Sequence, residues 1–240
     1  MSRRVEIGSN LEIVNRRIEN TKSMGKDVCL VAVTKYSKFH DIQLAYDAGH
    51  RDFGENRVSD LLEKAEMAEK EGLHDINWHF IGNLQSNKVK KLFGLLSLRY
   101  IHSVDSKKLL ETLHQRKDDI VSSNVSYFLQ VNTSAEEEKS GLQTYDELAD
   151  AVNYALKFDG GTPLKLAGLM TMGKIRTDDF RDDASKCFKK LVYYKKLLER
   201  DFPIKLKLSM GMSNDFDLAL KEGADFIRVG SKIFKSNNNS

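Results

Sequence analysis

Eight short apolar segments alternate with amphipathic stretches along this chain, and that alternation limits the folds it can adopt. The segments fall at 28–34, 52–55, 78–82, 100–104, 126–132, 165–171, 205–210 and 226–230. Most are continuously apolar rather than alternating, as strands buried on both faces are. The intervening stretches carry helical spacing and readable ends. In 58–71, Val58, Leu61, Leu62, Ala65 and Ala68 share one face, and Gly72 can take the left-handed cap. Thr144 and Glu147 form a capping box ahead of Leu148, Val152, Ala155 and Leu156, with an end expected near Gly160 and Gly161. Ala184, Cys187, Phe188, Leu191 and Leu198 mark a long helix, and Gly49 and Gly223 each close a helix just before a strand.

Eight βα units in a row predict a parallel sheet closed as a single (β/α)8 TIM barrel. A doubly wound open sheet is the alternative, and the strand count and the 240-residue length favour the barrel. With two prolines and no linker-like stretch, residues 1–235 read as one domain, and 236–240 as a disordered tail.

Charge excludes some functions. The balance is 38 basic against 35 acidic residues, too even for a nucleic-acid surface, and the clusters at 88–92 and 193–200 fit solvated helix faces. Cys29 and Cys187 lie far apart with no CxxC or histidine-rich motif, which suggests neither a disulfide framework nor a zinc site; both read as small buried hydrophobes. The start of the chain lacks the apolar core of a signal peptide, and no run reaches membrane-span length. A reducing, cytoplasmic location is the simplest expectation, with no membrane partner.

A barrel of this kind carries its chemistry at the carboxyl ends of its strands. The residues just past the eight predicted strands are, in order, Lys35, Asn56, the loop 82–88, Ser103 with Asp105, Thr133 with Ser134, 170–173, 209–213 and 228–231. Ser209, Gly211 and Ser213 precede a predicted helix at 214–222, and Gly230 and Ser231 precede Lys232. Small residues let backbone N–H groups approach a phosphate, and a helix N-terminus adds a favourable dipole. The same residues also suit plain tight turns, and these loops taken alone leave the two readings open. Lys35 ends an apolar strand. A lysine there can snorkel to solvent, whereas a partly desolvated amine has a depressed pKa and can attack a carbonyl. Combined with a phosphate cradle across the barrel mouth, such an amine makes pyridoxal phosphate a natural ligand. His79 and Ile81 share one strand face and Trp78 and Phe80 the other, so His79 reaches a cofactor ring if its face lines the interior. Met170 and Met212 fit packing residues, which can include packing on that ring.

The motifs AVTK, FGENRV, WHFIGNLQSNK, HSVDS, VNTSAEEEKSGL, GLMTMG, LSMGMSND and IRVGSKIF stand in this order. Together they closely resemble the YggS/PROSC family of pyridoxal phosphate homeostasis proteins, over nearly the whole chain from about Val28 to Phe234. The resemblance implies a fold type III barrel like that of alanine racemase, without that enzyme's second, β-rich domain. It implies covalent pyridoxal 5'-phosphate on Lys35 as an internal aldimine. Ser209 matches a phosphate-binding serine, Gly230 and Ser231 match amides that hold the phosphate, and Arg228 matches the arginine facing the pyridine nitrogen. Asn56 and His79 fall in motifs that line the pocket. Many relatives have a proline soon after the lysine, where this chain has Tyr36, Ser37, Lys38 and Phe39, and a glycine where it has Lys235; only local loop shapes are affected.

An arginine beside the pyridine nitrogen disfavours its protonation and weakens the ring as an electron sink. The resemblance also implies that the tyrosine serving racemases as second base is absent. Little or no catalysis is therefore expected, with no assigned catalytic residue unless Lys35 serves a weak amino-acid racemase. The expected role is to hold the cofactor and hand it to pyridoxal-phosphate-dependent apo-enzymes, as a monomer. A Schiff-base aldolase using Lys35 on a phosphorylated sugar is the reading without the cofactor.

Overall fold

The computed structural model describes residues 2–134, 136, 140–158, 161–173, 177 and 179–235. The expected tail at 236–240 and the helix end at Gly160 lie outside the described residues.

Eight parallel strands close into one barrel in sequence order. They are β1 (Cys29–Val33), β2 (Asp52–Glu55), β3 (Asn77–Phe80), β4 (Leu98–Val104), β5 (Val125–Gln130), β6 (Leu164–Met170), β7 (Lys207–Met212) and β8 (Phe226–Val229). Closure pairs β8 with β1 in the register Cys29 to Phe226 through Ala32 to Val229. The outer layer comprises α1 (Arg3–Thr21), α2 (Phe39–Asp47), α3 (Val58–Lys70), α4 (Val89–Phe93), α5 (Lys107–Gln115), α6 (Tyr145–Leu156), α7 (Phe180–Asp201), α8 (Phe216–Lys221) and α9 (Ser231–Phe234).

The period-2 side-chain rule sorts each strand into two cores. Outward residues such as Leu30, Phe53, Trp78, Phe80 and Ile227 join the apolar helix faces in one continuous cluster. Inward residues form a smaller one, with Val31, Phe128, Met170 and Phe226 at its centre and Cys29, Tyr100, Ala167 and Met172 against it. Thr144 and Glu147 make both bonds of the expected capping box, and Gly49, Gly72 and Gly223 take positive φ.

Two features depart from the expected pattern. The first is α1, which the strand-by-strand reading omits. Ser2 caps it, and Ile7, Leu11, Val14 and Ile18 form its buried stripe. It packs against α2, α8 and the four-residue α9 in the outer layer, and Asn10 donates to the Ile233 carbonyl at 3.0 Å. The second is β7, which starts later and runs on to Met212. Gly211, at φ 91°, permits this: a Cβ there would stand 2.6 Å from the Ala219 Cβ in α8.

Candidate functional site

At the carboxyl rim β7, β8 and β1 meet closely. A Cβ on Gly230 would lie 3.0 Å from the Val33 carbonyl oxygen and 3.2 Å from the Val33 Cβ. Gly230 has a φ of −118°, so it serves close approach rather than an unusual backbone turn. Its amide donates to the Ser213 hydroxyl at 3.2 Å. Ser213 is presented by a tight turn in which the Met212 amide donates to Asp215 Oδ1 at 2.5 Å. Ser213, Gly230 and the end of β1 are thus direct neighbours. The expectation of a phosphate cradle across the mouth from Lys35 is corrected: closure makes β8 the neighbour of β1. The helices after these loops, α8 and α9, are six and four residues long, so the helix dipole adds little.

Lys35 lies two residues past β1 in an exposed turn, its Nζ 5.0 Å from the centre of the Tyr36 ring. The burial premise for this amine is therefore corrected: the strand ends at Val33, and Thr34 rather than Lys35 is the buried residue. Thr34 is fixed from three sides. Its amide donates to the Gly54 carbonyl at 3.0 Å, its hydroxyl donates to Glu55 Oε1 at 2.6 Å, and Lys64 donates to its carbonyl at 2.8 Å. The backbone that carries Lys35 is anchored even though the side chain is exposed.

Below the rim a polar chain crosses the barrel interior. Arg228 Nη1 donates to Ser209 Oγ at 2.6 Å, and Nη2 to the Thr171 carbonyl at 2.9 Å. Ser209 Oγ lies 2.8 Å from His102 Nδ1. His102 Nε2 lies 3.0 Å from His79 Nδ1, and His79 Nε2 lies 3.0 Å from Asp52 Oδ1. Burial alone would raise the Asp52 carboxyl, but the His79 hydrogen bond, with His50 and Asn77 nearby, holds it below the usual carboxylate range. Burial pushes His79 and His102 down, His102 far down, with help from Arg228. Both rings are therefore neutral, with one proton each. An ionised Asp52 can only accept, so His79 carries its proton on Nε2 and accepts at Nδ1. His102 must then donate from Nε2 and accept the Ser209 hydroxyl at Nδ1. Every donor has one acceptor, from Arg228 through Ser209, His102 and His79 to Asp52.

This chain of bonds engages two of the residues expected at the cofactor. Ser209 is fully buried, with its hydroxyl shared between Arg228 and His102; Ser213 is the serine at the rim. His79 faces the interior as its alternation predicts, but it stacks on Tyr100, 4.7 Å between centres, and is bonded to Asp52 and His102. Burial lowers the Arg228 guanidinium to about 10, so it stays charged at neutral pH. It has five N–H donors, of which two make the bonds above, so donors remain for a ligand.

The other predicted residues flank this arrangement. Asn56 is half-buried after β2, its carbonyl pressed so close to Gly82 that a Cβ there would stand 2.0 Å away. Met170 is buried in the inner cluster at the end of β6. Met212, half-buried, is in register with Arg228, and Ser231 is exposed at the start of α9. His102, Asp52, Glu55 and Lys64 are not among the site residues that sequence reasoning picks out, and Ser213 appears there only as a small residue of the candidate phosphate loop. For His102 a signal existed: it shares a strand face with Tyr100, as His79 does with Ile81.

The fold belongs to the closed (β/α)8 barrels and is like that of alanine racemase from E. faecalis, which the chain matches with a TM-score of 0.64 at 16% identity, covering 97% of this chain and 58% of that one. No family model matches the chain. Sequence is more specific. The pyridoxal phosphate homeostasis protein of Schizosaccharomyces pombe is 37% identical over 232 residues, 96% of this chain and 92% of its own. The human protein of that name is 34% identical over 247 residues, 98% and 88%. This chain belongs to the pyridoxal phosphate homeostasis protein family. PipY of Synechococcus elongatus, solved without and with pyridoxal phosphate bound, matches with TM-scores of 0.82 and 0.79 at 31% identity, covering 95% of this chain and 99% of that one.

Proposed function

We propose that this chain binds pyridoxal 5'-phosphate at the carboxyl rim, covalently through Lys35, and serves in holding and handing over the cofactor. The observation that carries this reading is the contact of the β8 rim with the end of β1. In pyridoxal phosphate the aldehyde and the phosphate-bearing arm occupy adjacent ring carbons, and the ring nitrogen lies opposite the aldehyde. A lysine turn beside the Gly230–Ser213 loops, with a buried arginine two residues deeper on β8, suits that substitution pattern. The family relation and the pyridoxal phosphate bound to PipY support it.

In this reading the Gly230 and Ser231 amides and the Ser213 hydroxyl hold the phosphate. Lys35 supplies the amine, and Asn56, Met170 and Met212 line the ring. Arg228 donates a hydrogen bond to the pyridine nitrogen. When bound, pyridoxal phosphate supplies an aldehyde for reversible attachment and a ring that can take up electron density. A guanidinium is a donor only, so Arg228 favours the unprotonated nitrogen, and an unprotonated ring is the weaker electron sink. Ser209 and the histidines keep Arg228 oriented and exclude water beneath the ring. Such a site suits storage better than turnover, with cytoplasmic apo-enzymes that use the same cofactor as recipients. Among the described residues no helix is long and apolar enough to cross a membrane.

The test is the colour of the purified protein with added cofactor, then borohydride reduction and peptide mapping. A yellow protein with its reduced adduct on Lys35 is expected, and Lys35→Ala should lose the adduct. A protein that stays colourless, or an adduct on another lysine, overturns the assignment. Amino-acid racemisation at ordinary enzyme rates would overturn the holding role.

A further inference from the structure

The opposite end of the barrel holds a second group of reactive side chains. Cys29 opens β1, Asp52 opens β2 and His79 stands third in β3, all on the inner face of neighbouring strands. The Cys29 Sγ, an Asp52 oxygen and a His79 ring nitrogen lie within 4.8 Å of one another. We propose that Cys29, Asp52 and His79 form a mononuclear site for a divalent metal of the zinc class at the amino end of the barrel.

Thiolate, carboxylate and imidazole are the three donor types zinc takes, and three protein ligands leave a fourth position for water. Bonds of about 2.0–2.3 Å place ligand atoms of a tetrahedron about 3.3–3.8 Å apart. The His79–Asp52 separation of 3.0 Å and the 4.8 Å bound on the set are within small side-chain rotations of that. The orienting contact is already present, because His79 Nδ1 is bonded to His102. A thiolate and a carboxylate balance a divalent charge. Of the nearby cations, Lys26 is paired with Asp225 at 3.0 Å, Arg51 with Asp75 at 2.7 Å, and Lys207 stands over the Phe226 ring. A cavity of about 930 Å³ opens here, and Cys29 and Asp52 line it. It provides both entry and room for water. Sequence spacing does not disclose the set, since each ligand comes from a different strand.

Binding has a proton balance. Cys29 must release its proton to bind as thiolate, which goes to solvent. His79 must bind through Nε2, so the proton now on Nε2 leaves at the lower mouth. Each relay member then passes a proton one step: His102 Nε2 to His79 Nδ1, and Ser209 to His102 Nδ1. Ser209, fully buried between Arg228 and His102, regains one from solvent through transient opening of the interior. The net release is one proton per metal, and the relay reverses direction beneath Arg228.

The test is titration of the chelator-treated full-length protein with Co²⁺, followed by Zn²⁺. One equivalent should bind with a thiolate-to-cobalt charge-transfer band, bleached by one equivalent of Zn²⁺. Calorimetry in two buffers should show about one proton released per metal. Cys29→Ser should abolish the band and weaken binding by more than the roughly 100-fold that loss of an orienting partner costs, while Cys187→Ser keeps it. Asp52→Asn should weaken binding in the same assay. Should Cys29→Ser fail to fold, Zn²⁺ must protect Cys29 of the unsubstituted protein from alkylation. Absence of the band, its survival in Cys29→Ser, or alkylation of Cys29 unaffected by Zn²⁺ overturns the site.

Discussion

Lys64 reaches from α3 to the fully buried Glu55 at 2.5 Å and, with the same ammonium, to the Thr34 carbonyl at 2.8 Å. The lysine is itself mostly buried, its side chain 13% exposed against 0% for the glutamate. This pair ties the FGEN segment to the turn that carries Lys35. Lys64→Met removes one partner and strands a buried carboxylate whose second oxygen already lacks a partner. A loss of about 3–5 kcal/mol is expected, read as a lower urea midpoint. Adding Glu55→Gln should restore part of it, because the stranded charge is gone. Cofactor affinity should fall in the single variant, as Thr34 loses one of its three anchoring bonds. A variant with unchanged midpoint and unchanged affinity would show that the pair does not hold the Lys35 turn.

The alternation of strands and helices is legible in the sequence because each buried strand must be apolar and each outer helix needs one apolar stripe. Strand ends are less legible, because one or two residues there decide depth. A strand at 28–34 makes Lys35 a buried end residue; one ending at Val33 puts it in an exposed turn. A strand at 205–210 puts Ser209 at the rim; one at Lys207–Met212 puts it in the interior and Ser213 at the edge. The Asp52–His79–His102–Ser209 chain is hidden for another reason: its bonds run between strands, and local pattern carries no information about cross-barrel register.

Two glycines separate packing from site geometry. A Cβ on Gly82 would sit 2.0 Å from the Asn56 carbonyl oxygen, a backbone atom that cannot move aside alone. Gly82→Ala should therefore lower stability by several kcal/mol, in the range of severe overpacking. A Cβ on Gly8, in α1, meets nothing within 4 Å. Gly8→Ala should raise stability by about 0.5–1 kcal/mol through helix propensity. Thermal unfolding of both variants checks the pair; equal effects would contradict the close packing of Gly82 on Asn56.

Stability should fall on mild acidification. Burial lowers His50, His79 and His102, and lowers His114 to about 4. Unfolded imidazoles titrate near pH 6.5, so below that the unfolded chain binds more protons than the folded one. Their contribution is complete above about pH 6.5 and is lost as the pH drops toward the folded values. Each such proton is worth about 1.4 kcal/mol per pH unit. Asp52, lowered when folded, adds a further loss only as the pH falls below about 4. Urea midpoints at pH 7 and pH 5 measure the slope, and His114→Gln should reduce it by about one proton. A slope unchanged by that substitution would show that His114 is not buried neutral.

Ser209 and Ser213 should respond differently to removal of their hydroxyls. Ser213 stands at the rim against the Gly230 amide, and Ser209 is bonded between Arg228 and His102. Ser213→Ala removes a phosphate contact in the proposed site and leaves the interior untouched. Its affinity for pyridoxal phosphate should fall about tenfold, as the loss of one hydrogen bond to a charged group of about 1.5 kcal/mol implies, with stability changed little. Ser209→Ala leaves a buried guanidinium N–H and the His102 Nδ1 without partners, at about 1–3 kcal/mol each. Its main effect should therefore be a lower urea midpoint, with a displaced visible absorbance of the bound cofactor as Arg228 shifts. Fluorescence titration for affinity, urea unfolding and the visible spectrum together separate the two. Should Ser209→Ala lose phosphate affinity while keeping full stability, Ser209 would regain the phosphate role that its motif implied.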